Sequence, residues 1–190
     1  MEPSPSFPSL GDSPVYLLSV LYGTPQAAAP MAGSKDYPDI AGMVWFYQTN
    51  RGVLVCAQLS GLPHSGEPCG ERVFGFHIHS GESCGGDMDD PFAQAMSHYD
   101  PHGCQHPYHA GDLPPLFGNG GTALALFLTG RFTVEEVIGK TVIVHDRPDD
   151  FTTQPSGSSG TKIACGVIGR AGGACRQALP DPSSVRQRKY

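Results

Sequence analysis

The segment Gly75-Phe76-His77-Ile78-His79 constrains this chain more than any other. Side chains alternate along an extended backbone, so residues two apart share a face. His77 and His79 therefore aim two imidazoles at one point in space. His98, His102, His106, His109 and Asp112 follow in a Gly- and Pro-rich stretch, and His145 closes the apolar run Thr141-Val142-Ile143-Val144. Seven of the eight histidines thus lie between residues 77 and 145. Imidazole suits copper and zinc, and a carboxylate among imidazoles is an ordinary zinc ligand. The clustering points to metal chemistry. A lone histidine is better read as a hydrogen-bonded structural residue, which is the reading for His64 and, by default, His102.

Twenty-five Gly and eighteen Pro in 190 residues punctuate turns and interrupt helices, so the pattern predicts an all-β domain with long loops. Residues 41–47 and 52–59 read as a hairpin joined through Thr49-Asn50-Arg51. Residues 74–79, 122–128, 141–145 and 163–168 read as further strands, and 26–31 as a first one despite Pro30. Trp45, Phe46 and Tyr47 belong to strand and core by alternating burial. The one helical turn expected is at 134–138, and two long connections, 80–113 and 146–161, are expected to carry function. The domain reading is a flexible arm at 1–25, one folded unit at 26–170 and a polar tail at 171–190. A formal net charge of -6 argues against a nucleic-acid partner. The start, Met1-Glu2-Pro3, lacks the basic residues of a secretory signal and no membrane span is apparent, which points to the cytoplasm. Six cysteines neither prove nor exclude disulfides.

Five segments together resemble the copper-zinc superoxide dismutases. They are Gly75 through His79, His98-Tyr99-Asp100-Pro101, His109-Ala110-Gly111-Asp112-Leu113, Val144-His145-Asp146 with Asp149-Asp150, and Ala164-Cys165-Gly166-Val167-Ile168-Gly169. They stand in the family's order over roughly residues 40–170. The resemblance implies an eight-stranded Greek-key sandwich or barrel with two long functional loops. It implies copper on His77, His79, His98 and His145, and zinc on His98, His106, His109 and Asp112, with His98 bridging both. Only two residues separate His106 from His109, so this zinc loop must turn tightly; His102 or Cys104 is the alternative if it does not. By the same resemblance Asp149 hydrogen-bonds the outer nitrogens of His77 and His106, and Cys84 pairs with Cys165. Cys56 reads as a core residue, and a bridge between Cys69 and Cys104 is conceivable.

The function implied is conversion of superoxide to oxygen and hydrogen peroxide by alternating copper reduction and oxidation, with zinc structural and His98 passing a proton. The rival readings are a copper- and zinc-binding module without turnover and a sandwich merely stabilised by zinc. Lys162 stands where the family carries an arginine that positions the anion. Lysine keeps the charge but loses the planar fork, so weaker orientation with steering retained is expected. No charged residue lies at 151–161, which leaves the local field to the metals and Lys162. A homodimer is a further expectation from the family.

Overall fold

Strand β1 (Ala27–Gly33), β2 (Ala41–Thr49) and β3 (Gly52–Ser60) run as an antiparallel meander in the computed structural model, which describes residues 19–67 and 69–171. Ala29, Val44, Phe46, Val53, Val55 and Ala57 are fully buried on its inner face. The β2–β3 hairpin closes on the Thr49–Gly52 pair with a two-residue loop.

The single strand expected at 74–79 is two strands, β4 (Val73–Phe74) and β5 (Phe76–His79), parted at Gly75. Gly75 lies against the second long connection. A Cβ there would sit 2.9 Å from Ser159 Cβ and 3.2 Å from His145 Cβ, so no larger residue fits without a shift. Beyond the break the partners change: β4 pairs with β6 (Leu116–Phe117), whereas β5 pairs with β8 (Thr141–His145). Strand β7 (Ala123–Thr129), the short helix α1 (Val134–Val137), β9 (Lys162–Val167) and β10 (Gly169–Arg170) complete the order. The expected strand at 163–168 therefore ends one residue early, at Val167.

Eight strands form one antiparallel sheet in the order β5-β8-β9-β1-β2-β3-β7, with β10 beside β1; β4 and β6 form a separate pair. Three neighbour pairs along this order, β5 with β8, β9 with β1 and β3 with β7, are remote in sequence, as Greek-key crossovers require. Val44, Val55, Phe76, Val142 and Ile163 come from all parts of the sheet yet share one core, so the sheet curls around them. On the opposite face Leu21 packs with Trp45, Tyr47, Leu54 and Cys56. Residues 1–18 of the expected arm and 172–190 of the expected tail, Cys175 included, lie outside the described residues. Among those described, no helix is long and apolar enough to cross a membrane.

Candidate metal centre

Strand β5 organises the centre through its backbone. His77 bridges to Asp112 and His79 to His98, so the first long connection returns alongside β5 as an irregular ladder. Ile78 N donates to Gly111 O at 2.9 Å and Tyr99 N to Ile78 O at 2.8 Å. This pairing sets the loop's histidines beside those of the strand, and β8 brings His145 from the other side.

Two groups of potential metal ligands result among the described residues: His77, His79, His98 and His145, and His98, His106, His109 and Asp112. All are buried, and within each group the ligand atoms lie within 4.8 Å of one another. His98 alone belongs to both. His106 is in the second group, whereas His102 and Cys104 are exposed and in neither. The tight turn is made with a cis His106–Pro107 bond.

Hydrogen bonds at the outer nitrogens decide which ring nitrogen faces inward. His77 Nε2 and His106 Nε2 donate to the two oxygens of Asp149, each at 2.8 Å. His79 Nδ1 donates to Met96 O at 2.8 Å, and His145 Nδ1 to Gly160 O at 3.4 Å. With hydrogens committed there, the Nε2 lone pairs of His79 and His145 face one another at 3.3 Å. Two lone pairs at that distance repel unless a cation lies between them. His77 Nδ1, His98 Nε2, His106 Nδ1 and His109 Nδ1 are likewise buried with no hydrogen-bond partner. Such orphans are costly, on the order of 1–3 kcal/mol each, in a structure with nothing to bind.

The second group is equally suited to a cation. Asp112 Oδ1 lies 2.7 Å from His98 Nδ1, and its Oδ2 lies 3.1 and 3.2 Å from the Nδ1 atoms of His106 and His109. The edge of a tetrahedron with bonds of about 2 Å is about 3.3 Å, so the Asp112 carboxylate stands near zinc's spacing from His106 and His109 through Oδ2 and somewhat closer to His98 through Oδ1. The first group offers four nitrogens, which suits copper. Burial pushes His77, His79 and His145 toward the neutral form that ligation requires. His77 falls to about 4, with the Asp149 hydrogen bond opposing; His145 falls to about 3, aided by His77; His79 falls well below the usual range. Burial also acts on Asp149, raising it, but hydrogen bonds from His77, the Phe151 amide and His106 outweigh this and hold it at about 2.

Several supporting residues carry no signal in the sequence. One guanidinium nitrogen of Arg131 donates to the carbonyls of Pro107, His109 and Asp112 at 3.0, 3.1 and 3.0 Å. Gln154 clasps the His106 backbone, accepting from its N–H at 3.0 Å and donating to its carbonyl at 2.7 Å. Gly157, at φ +65, presses on the Asp149 carboxylate so closely that any Cβ would overlap Oδ1. These contacts cross between remote loops, and spacing along the chain does not reveal them.

Cys84 and Cys165 form a disulfide that ties the first long connection to β9. Cys69 and Cys104 are free and exposed, so the conceivable second bridge is not formed; Cys56 is buried. Lys162 lies opposite His145 in the β8–β9 ladder, at a bulge. Its ammonium donates to Asp90 Oδ2 at 2.7 Å and to Phe92 O at 3.1 Å. The lysine expected to carry the local field is therefore paired with a carboxylate, a partner that a separation of 72 residues hid from the sequence.

The same arrangement has counterparts. Residues 40–168 match the family model described as copper/zinc superoxide dismutase (SODC). A Cu-Zn superoxide dismutase of Legionella pneumophila is 34% identical over 148 residues, covering 74% of this chain and 85% of the relative. One from Haemophilus parainfluenzae is 34% identical over 159 residues, covering 75% and 79%. The solved structure of the Cu/Zn superoxide dismutase from Brucella abortus superposes with a TM-score of 0.63 at 25% identity, over 74% of this chain and 98% of that one.

Proposed function

The chain belongs to the copper/zinc superoxide dismutase family, and from that premise we propose that His77, His79, His98 and His145 hold its copper while His98, His106, His109 and Asp112 hold its zinc. It is an oxidoreductase that converts superoxide to oxygen and hydrogen peroxide, with copper and zinc as cofactors. Copper supplies the one-electron redox change, and zinc, which has no redox chemistry, supplies fixed positive charge. The observation that carries the residue assignment is the pair of four-residue groups sharing His98, each closed by inward-facing atoms that lack protein partners.

The protein's own groups then divide the work. Asp149 fixes the tautomers of His77 and His106 by accepting from both Nε2–H groups, so that each Nδ1 lone pair points inward. The Met96 carbonyl fixes the opposite tautomer of His79, accepting from Nδ1–H so that the Nε2 lone pair points inward. His98 Nε2, buried and without a protein partner, takes up a proton and hands it to the reduced dioxygen that leaves as hydrogen peroxide. In total two superoxide anions and two protons become one oxygen and one hydrogen peroxide.

The net charge of -6 continues to argue against nucleic acid as a partner. The homodimer rests on family membership, and light scattering that gives a monomer mass in dilute solution rejects it. For compartment, the Cys84–Cys165 bridge favours oxidising surroundings over the cytoplasm first expected.

The assignment is tested by loading purified protein with both metals and following superoxide loss. His145→Ala is expected to lower the rate at least about 100-fold, beyond what loss of an outer partner usually costs. Activity that persists in this variant removes His145 from the copper site.

A further inference from the structure

Lys162 is the only basic residue between Arg147 and Arg170, and no acid or base lies at 151–161. It occupies the ladder position opposite His145, so it is the cation that this stretch places beside the copper ligands. Two of its three ammonium hydrogens are already engaged, by the Asp90 carboxylate at 2.7 Å and the Phe92 carbonyl at 3.1 Å. Its side chain is 14% exposed and that of Asp90 is 42% exposed. A pair open to solvent to this degree contributes little to stability. Its effect on the field felt by an arriving anion is larger, because a net charge of about +1 becomes a dipole.

Asp90 is held for this task by its own loop. Its Oδ1 accepts from Phe92 N at 3.0 Å, its N–H donates to Asp87 Oδ1 at 2.9 Å, and its carbonyl accepts from Asp87 N at 3.0 Å and Ala93 N at 3.1 Å. Phe92 is buried against Ile143 and Cys165 with Cys84 alongside, which anchors the loop near β9.

We propose that Asp90 is a specificity-determining residue of this enzyme: by neutralising Lys162 and occupying its donors, it leaves one ammonium hydrogen for the substrate anion and weakens the site's attraction for anions in general. The proposal rests on the copper assignment above and adds to it a residue that touches neither metal nor substrate. Asp90 acts through Lys162 as a positioning residue.

Azide, a small monovalent anion that alters the absorption of copper(II), is the probe. The metal-loaded parent, Asp90→Asn and Asp90→Glu are titrated with azide at low and at molar salt. Asn keeps an oxygen for Phe92 N and removes the charge; Glu keeps the charge. Asp90→Asn is expected to bind azide about 3- to 10-fold more tightly at low salt, with the gain erased at molar salt, where the screening length is about 3 Å. Asp90→Glu is expected to stay within about twofold of the parent, because the charge persists. Superoxide loss by Asp90→Asn should fall more steeply with salt than in the parent. Equal azide affinity in the parent and Asp90→Asn, with the copper spectrum intact, overturns the proposal alone. A gain that survives molar salt also overturns it, since that outcome makes the effect structural. A parent that shows no copper absorption overturns the copper assignment together with the proposal.

Discussion

A carboxylate serving two imidazoles has no spare acceptor to give away. Both Asp149 oxygens are taken, one by His77, the other by His106 and the Phe151 amide, while Gly157 closes over them. Asp149→Asn replaces one acceptor oxygen by a donor NH2, which faces an imidazole N–H with nothing to accept. One ring must then change tautomer and turn its hydrogen toward the metal pocket. Retention of copper or zinc is expected to fall about 10- to 100-fold, as read by competition with a coloured chelator. Unchanged retention of both ions in Asp149→Asn shows that the rings are oriented without it.

At the scale of elements, the first long connection is held by one edge strand and two staples. The loop that faces β5 has no regular secondary structure except a 3-10 turn at Ala93–Ala95, so its position depends on the bridges to β5, on Arg131 and on the disulfide. Cys84→Ser with Cys165→Ser opens a segment of 81 residues and is expected to cost about 2–5 kcal/mol, measured by denaturant unfolding of the metal-free protein. A cost below about 1 kcal/mol would mean that the bridges to β5 suffice to hold the loop. Period-two spacing made His77 and His79 readable in the sequence, because the strand alone dictates that they share a face. The runs of β2, β3, β7 and β8 were readable as apolar, β-branched- and aromatic-rich stretches. Strand β6 was not: Leu116 and Phe117 sit between prolines and a glycine, too short a run to show any period. Nor was the break at Gly75, whose cause is the wall of Ser159 and His145 brought there by the fold. Asp90 escaped because a salt bridge across 72 residues leaves no local pattern. The histidines of the first long connection were found through family order rather than spacing, since irregular backbone has no period to read.

For the whole molecule, folding buries four imidazole nitrogens of the two ligand groups without a protein partner and sets the Nε2 atoms of His79 and His145 against each other. Ions that bind the folded chain and not the unfolded one add RT ln(1 + [L]/Kd) to its stability, about 4 kcal/mol at a thousandfold excess over Kd. Dialysis against a strong chelator is therefore expected to lower the melting temperature by several degrees, and readdition of zinc then copper to restore it. A melting temperature indifferent to chelator would mean that the ligand groups are as stable empty as filled. The ring of His98 belongs to both ligand groups and the carboxylate of Asp149 hydrogen-bonds one ring of each, so the two groups share one thermodynamic cycle. Whatever factor the first arrival imposes on its neighbour's affinity, the neighbour imposes in return. The sequence of delivery thus alters the route to the doubly loaded state and leaves its final free energy the same.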